Sequence, residues 1–406
     1  FPYTTLFRSF PLQDNKWREE PIISLADYVD YRGKTPKKTE SGVFLVTAKN
    51  IKQGYIDYES SQEFIDPGEY DEVMRRGKPK IDDVLITTEA PLGNIASVDR
   101  EDIALAQRVI KYRGKDKILN SCFLKQLFLA PRLQDEIASK ATGGTVQGIK
   151  GSVLHQIKIY IPDFDEQTMI ADFLSSVDEK ITLLNKQYDL LCQYKKGMMQ
   201  KIFTQELRFK DDSGDKFSDW EEVELKKIAS KVNTKNRDNS VSTVLTNSAM
   251  QGIVSQETYF EREIVTESNL TGYYVVRVGD FVYNPRISST APVGPIKMNK
   301  LTQGVMSPLY TVFRFEKGLL KFYQYFFESS VWHDYLKSVA NSGARHDRMN
   351  ISGADFFGLP VPQPFEEEQT KIANFLSGLD DKITTKKTEL DKLKTWKQGL
   401  LQQMFV

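Results

Sequence analysis

The sequence predicts an α+β protein in which two globular domains alternate with two long helices. The helices are expected to pair as an antiparallel coiled coil, and the whole chain to form a pseudo-twofold internal repeat. Three observations carry this. Residues 166–203 recur at 368–405, an offset of 202, with 18 identities in 38 positions, and such self-similarity sets the architecture before any local reading. Both copies place apolar residues at alternating steps of four and three, the spacing of a coiled-coil seam. The stretches between them mix short β-rich runs with Gly and Pro punctuation.

Residues 1–16 read as an N-terminal extension. Phe1 to Phe10 is aromatic and polar, with no apolar stretch of the kind a signal peptide needs. Residues 17–162 form the first domain, 163–206 the first helix, 217–362 the second domain and 363–406 the second helix. The domains repeat faintly but in order. Trp17 answers to Trp220, Ala90-Pro91-Leu92-Gly93 to Ala291-Pro292-Val293-Gly294, Phe123 to Phe128 answers to Phe322 to Phe327, and Gly144 to Gly343. In the first domain, strands are expected at Val43 to Thr47, Val84 to Thr88 and Ile157 to Ile161, with one helical run from Phe123 to Lys140. The second has strands at Tyr273 to Val278, Phe281 to Tyr283 and Leu309 to Phe315, then a helix from Leu319 to Ala340.

The seam of the first helix is Val177, Ile181, Leu184, Tyr188, Leu191, Lys195, Met198 and Ile202. That of the second is Leu379, Ile383, Lys386, Leu390, Leu393, Lys397, Leu400 and Met404. Asp163, three residues before Glu166 and just after Pro162, is a capping signal. At 1.5 Å per residue each rod runs to roughly 57 Å. Its apolar face is too narrow to stand alone, so it needs a partner, and pairing within the chain fits the repeat best. Lys195 and Lys397 hold the same seam position. Either they snorkel at a frayed end, or they control register or meet an acidic group of a partner subunit.

The aromatic run Phe322, Tyr323, Tyr325, Phe326, Phe327, Trp332 and Tyr335 suits either a base-stacking platform or a core. The apolar counterpart Phe123, Leu124, Leu127 and Phe128 favours the core. The 55 basic side chains balance 55 acidic ones, so net charge points to no partner. Basic clusters do fall in Gly- and Pro-rich loops, at Arg32 to Lys38, Arg75 to Lys80 and Arg345 to Arg348. Loops of this kind reach phosphates and base edges. Loops 142–151 and 342–353 hold equivalent places with unlike chemistry, as reading two different targets requires.

Recognisable catalytic chemistry is missing. Asp163, Asp178, Glu179 and Lys180 mimic a nuclease signature, but Asp178 and Lys180 fall on the seam-bearing helix. Gly143 to Lys150 breaks the P-loop pattern at Ile149. His155, His333 and His346 lie in no nucleophile signature. The two cysteines and three histidines suggest neither a disulfide framework nor a structural zinc site. No apolar run approaches the roughly 18 residues of a membrane span, so a soluble, cytoplasmic protein is expected.

Two stretches carry a family resemblance: Ile161-Pro162-Asp163-Phe164-Asp165-Glu166-Gln167-Thr168 and Pro364-Phe365-Glu366-Glu367-Glu368-Gln369-Thr370. With Arg32-Gly33-Lys34-Thr35-Pro36, Thr47-Ala48-Lys49-Asn50-Ile51 and Gly279-Asp280-Phe281-Val282-Tyr283-Asn284, the chain resembles the specificity (S) subunit of type I restriction–modification systems over residues 17–406. The resemblance implies two target-recognition domains, each reading one half of an asymmetric, bipartite duplex DNA target. It implies two modification subunits that methylate adenine, and ATP-driven restriction subunits. S-adenosylmethionine, ATP and magnesium would belong to those partners; this chain would hold no cofactor or metal and catalyse nothing. The residues expected to face DNA are Arg32, Lys34, Lys37, Lys38, Lys49, Asn50 and Gln147 in the first domain, and Asn247, Arg286, Arg345 and Arg348 in the second. The alternative is a non-catalytic coiled-coil adaptor that binds proteins.

Overall fold

A computed structural model describes residues 17–31, 36–106, 108–257, 267–341 and 347–405. The chain divides into two compact units, one made of residues up to Lys186 together with Thr388 onward, the other of Gln187–Lys387. Each unit therefore contains one globular domain and part of each long helix.

In the first unit, β1 (Arg18–Pro21) pairs antiparallel with β9 (Lys158–Ile161) and closes the domain on itself. The centre is a four-stranded sheet of β2 (Ala26–Asp30), β8 (Val109–Gly114), β5 (Val84–Thr88) and β6 (Leu92–Ser97), in that order. A three-stranded sheet of β4 (Phe64–Ile65), β3 (Val43–Val46) and β7 (Ile103–Leu105) lies beside it, β3 and β7 running parallel. Every residue of β5 is buried, as a strand covered on both faces requires. Short helices α1 (Ile22–Leu25), α2 (Tyr70–Val73) and α5 (Gly151–Leu154) fill the corners. The single helical run expected here is two helices, α3 (Ser121–Leu129) and α4 (Pro131–Ser139). Pro131 is the break: it starts a helix readily, but it holds the residue before it extended, and Ala130 has φ −68° and ψ 140°.

The second unit repeats the plan. β10 (Glu221–Glu224) pairs with β19 (Pro360–Gln363), and the central sheet runs β11 (Ala229–Lys231), β18 (Thr311–Phe315), β15 (Phe281–Tyr283), β16 (Ile296–Met298). Two antiparallel pairs, β12 (Leu245–Ser248) with β13 (Gly252–Ser255) and β14 (Tyr274–Val276) with β17 (Gly304–Met306), replace the three-stranded sheet. Val244 still bridges Val305 in parallel, the counterpart of β3 beside β7. The helical run again splits, into α7 (Leu320–Glu328) and α8 (His333–Val339), and α9 (Gly353–Phe357) follows. Phe322, Tyr323, Tyr325, Phe326, Phe327 and Trp332 are all buried, so the aromatic run is core and not a stacking platform. Tyr323 lies flat on Phe315 with ring centroids 3.9 Å apart.

The long helices are α6 (Phe164–Phe203) and α10 (Glu366–Met404). The Asp163 carboxylate caps α6 by accepting the Glu166 N–H at 2.9 Å. Within the first unit, Asp178 meets Lys397 at 2.5 Å and Asn185 meets Lys394 at 3.4 Å. Within the second, Lys387 lies over Tyr188 at 5.8 Å and Lys195 meets Asp380 at 2.7 Å. In both units one number rises as the other falls, so the helices pair antiparallel. Each of the sixteen seam residues is buried or half-buried, whereas Leu183, Leu190 and Tyr194, off the seam, are exposed.

Lys195 and Lys397 do not snorkel. Lys195 Nζ bonds Asp380 at 2.7 Å and Glu328 at 3.1 Å, and Lys397 Nζ bonds Asp178. The acidic group is supplied by this chain. No helix among the described residues is long and apolar enough to cross a membrane.

Candidate nucleic-acid interface

The Pro-x-x-x-Glu-Gln-Thr motif fastens each domain to its helix. Trp17 donates from its indole to Glu166 at 3.3 Å, and Trp220 to Glu368 at 2.8 Å. Gln167 accepts the Asn120 N–H at 2.9 Å and donates to Pro162 O at 3.0 Å. Gln369 accepts the Leu319 N–H at 3.2 Å and donates to Pro364 O at 3.0 Å. Both glutamines are buried, and a buried amide must spend its hydrogen-bonding groups this way. The motif that carries the family resemblance is thus a structural clamp beneath the domains, while the loops it holds are free to vary.

A second repeated device steadies the hairpin that presents those loops. Asp83, fully buried, accepts from Lys111 at 2.8 Å and Arg113 at 2.6 Å, and from the Lys80 N–H at 3.0 Å. Asp280 accepts from Arg314 at 2.6 and 2.9 Å and from the Arg277 N–H at 2.7 Å. That hydrogen-bonded carboxylate raises the Arg314 guanidinium above its ordinary value. The turn beyond these strands needs glycine: Gly294 has φ +80°, and a Cβ there would lie 2.1 Å from Asn284 O.

At the hairpin tip of the first domain, Glu89 bridges Gly148, and Ile149 N–H donates to Thr88 O at 2.9 Å. This brings the exposed Gln147 beside the hairpin. Arg108, held at φ 72°, pairs with Glu89 at 2.9 Å. Neither Glu89 nor Arg108 was among the expected residues, because only the register of β5 on β8 brings them together. Loop 47–54 packs on the same hairpin, through Asn94 to Ile51 O at 2.7 Å and Gln53 to Gly93 O at 3.1 Å. Lys49 is exposed on it. Lys37 and Lys38 are exposed elsewhere, beside β4, where Lys38 pairs with Glu63 at 2.7 Å.

The second domain builds the equivalent tip from different residues. Arg286 bridges Arg348, with Ile287 N–H donating to Asp347 O at 3.0 Å and Met349 N–H to Pro285 O at 2.9 Å. Both guanidinium Nε atoms stand near one Asp347 oxygen, at 3.9 and 3.8 Å. Asn284 fixes the approach, accepting the Arg286 N–H at 3.0 Å and donating to Asn247 O at 3.0 Å.

Two expected contacts are corrected. Asn50 is fully buried; its Oδ1 accepts from Thr47 N and Oγ1, and its Nδ2 donates to Asp57 O and Ser61 O. Asn247 is 3% exposed and donates to Val282 O at 2.7 Å and Pro295 O at 3.2 Å. Both amide nitrogens are committed to backbone carbonyls and brace the loops from within. Arg32, Lys34 and Arg345 lie outside the described residues.

A family model described as the type I restriction modification DNA specificity domain matches twice, at residues 20–192 and 217–395. The type I restriction enzyme MjaVIII specificity subunit of Methanocaldococcus jannaschii is 25% identical over 94% of this chain and 90% of its own length. The S subunit of a type I restriction-modification system from M. genitalium shares the fold at a TM-score of 0.58, with 15% identity and 98% of each chain covered. A chain solved in work on complex assembly and conformational transition of the type I system gives 0.56, with 16% identity over 98% of this chain and 99% of that one. Matched twice by that model, once per repeat, the chain belongs to the type I restriction modification DNA specificity family.

Proposed function

We propose that this chain is the DNA-reading subunit of a type I restriction–modification enzyme and contributes recognition without catalysis. Each domain reads one part of an asymmetric two-part target, and partner subunits act on what it selects. One observation carries this: the same clamp, hairpin and bridged loop are built twice, yet the tips differ. One tip presents Glu89, Arg108 and Gln147, the other Arg286 and Arg348. A duplicated scaffold with unlike tips suits two different half-sites, because direct readout depends on which donors and acceptors reach the base edges.

The partners in this reading are two modification subunits, which bring S-adenosylmethionine and methylate adenine, and restriction subunits that use ATP and magnesium. The adaptor alternative has no specific observation in its favour. Co-expression with the modification subunits, followed by sequencing of methylated bases in the host, tests the proposal. The expected result is one split, non-palindromic methylated motif, with salt-sensitive binding of duplex DNA. The isolated chain should turn over neither S-adenosylmethionine nor DNA in the presence of magnesium. A palindromic motif, or methylation by this chain alone, would contradict it.

A further inference from the structure

We propose that Arg286 and Arg348 together form a guanine-reading ridge, so that the half-site read by the second domain carries guanines within one or two base-pair steps of each other. The inference rests on the DNA-reading function proposed above and assigns a base to this site.

The two arginines are bridge partners on antiparallel segments, which sets their Cβ atoms roughly 5 Å apart. Stacked bases are separated by about 3.4 Å along a strand, so two such side chains fall on neighbouring or next-neighbouring pairs. Their backbones are fixed by the bonds from Met349 to Pro285, Ile287 to Asp347 and Arg286 to Asn284. Among the described residues their forks are not consumed: the nearest acid atom is 3.8 Å from Arg348 and 3.9 Å from Arg286, beyond hydrogen-bonding distance. A guanidinium with its donors free matches guanine O6 and N7 in a bidentate pair.

Asp347 decides between base and phosphate. A carboxylate shared by two arginines repels a phosphate brought to the same place, since like charges at such separations cost energy even in high dielectric. Its repulsion of the guanine edge, which carries acceptors but no net charge, is weaker. A phosphate clamp would have no use for an acid between its two cations, whereas a base reader gains forks that are aimed without being bonded. Among the described residues the first domain's tip lacks this arrangement: Gly148 stands opposite Glu89, and Arg108 is already paired at 2.9 Å. The proposal therefore concerns the second half-site.

The test uses the full chain assembled with its modification subunits and reads the methylated motif and the binding of duplexes with single substitutions. Arg286→Lys and Arg348→Lys keep the charge and lose the fork. Each is expected to reduce discrimination for guanine at one position of one half-site by about 5- to 150-fold, leaving the other half-site and the melting temperature unchanged. Asp347→Asn should raise affinity for all duplexes and leave the motif as it is. If the lysine variants keep the full guanine preference, or if alanine variants weaken every sequence alike and reduce the salt slope by about one, the ridge contacts phosphate and the base assignment is wrong while DNA reading stands. If the wild-type assembly methylates no defined sequence, the proposed function itself fails.

Discussion

Lys397 on α10 bonds Asp178 on α6 at 2.5 Å, and the same two positions in the other repeat meet crosswise, Lys195 on α6 with Asp380 on α10 at 2.7 Å. Lysine and aspartate each recur at the offset of 202, so each repeat supplies the base for the other's acid. A domain side chain completes each set: Gln126 donates to Asp178 at 2.8 Å and Tyr325 to Asp380 at 2.7 Å. A partly buried ion pair beside a mostly apolar seam permits one register and penalises the shifted ones.

Breaking one pair should cost more than removing both partners. Among the described residues, Lys397→Met leaves the Asp178 carboxylate with Gln126 alone, and it is expected to destabilise by about 2 kcal/mol. Lys397→Met with Asp178→Leu should recover part of that loss. Urea denaturation of the full chain and the two variants measures the coupling; strictly additive losses would show that the pair does not hold the register.

The two lysines should respond to alkali with opposite signs. Burial alone would lower Lys195, but Glu328 and Asp380 outweigh it and hold the ammonium above its ordinary 10.5. Its contribution is complete below 10.5 and is lost as pH rises through the higher folded value. Lys397 is lowered by burial, opposed by Asp178 alone and pushed further by Lys125. Between its folded value and 10.5 the unfolded chain holds more protons, so this group adds stability as pH rises. Stability curves from about pH 8 to 11 should show Lys195→Met flattening the alkaline fall and Lys397→Met removing a gain just below it.

Glu368 and Glu166 occupy the same motif position under different load. Glu368 is fully buried and takes Arg208 at 2.8 and 2.9 Å besides Trp220, whereas Glu166 takes Trp17 at 3.3 Å and is part-exposed. Glu368→Ala is expected to cost about 3 kcal/mol and Glu166→Ala about 1 kcal/mol, read as separate shifts in denaturation midpoint.

Neighbouring residues 49 and 50 should separate binding from folding. Lys49→Ala is expected to weaken all duplexes alike and lower the salt slope by about one, with stability intact. Asn50→Ala strands four backbone and hydroxyl partners and should cost about 2–3 kcal/mol without changing the motif recognised. Equal effects on melting would remove Lys49 from the interface.

Legibility followed the range of each interaction. The seam could be read because four–three spacing is written along one helix, and the duplication because it is a comparison of the chain with itself. The fate of its lysines could not, since Asp178 is 219 residues from Lys397 and no local pattern names such a partner. Asn50 and Asn247 misled for a related reason: an amide in a polar loop reads as a recogniser, and only the folded turn shows it spent on backbone carbonyls. Glu89 and Arg108 went unseen because they meet through strand pairing. The run from Phe123 to Lys140 divides at Pro131, which starts one helix and ends the other.

The unit made of residues up to Lys186 is finished only by residues from Thr388 onward, while the unit spanning Gln187–Lys387 is continuous. During synthesis the later-encoded unit can therefore close while the earlier one still waits for Leu400, Leu401 and Phe405 to fill its core, reversing the usual N-terminal-first order. A chain truncated after residue 387 and released from the ribosome would carry a folded second unit and an open, protease-sensitive first one.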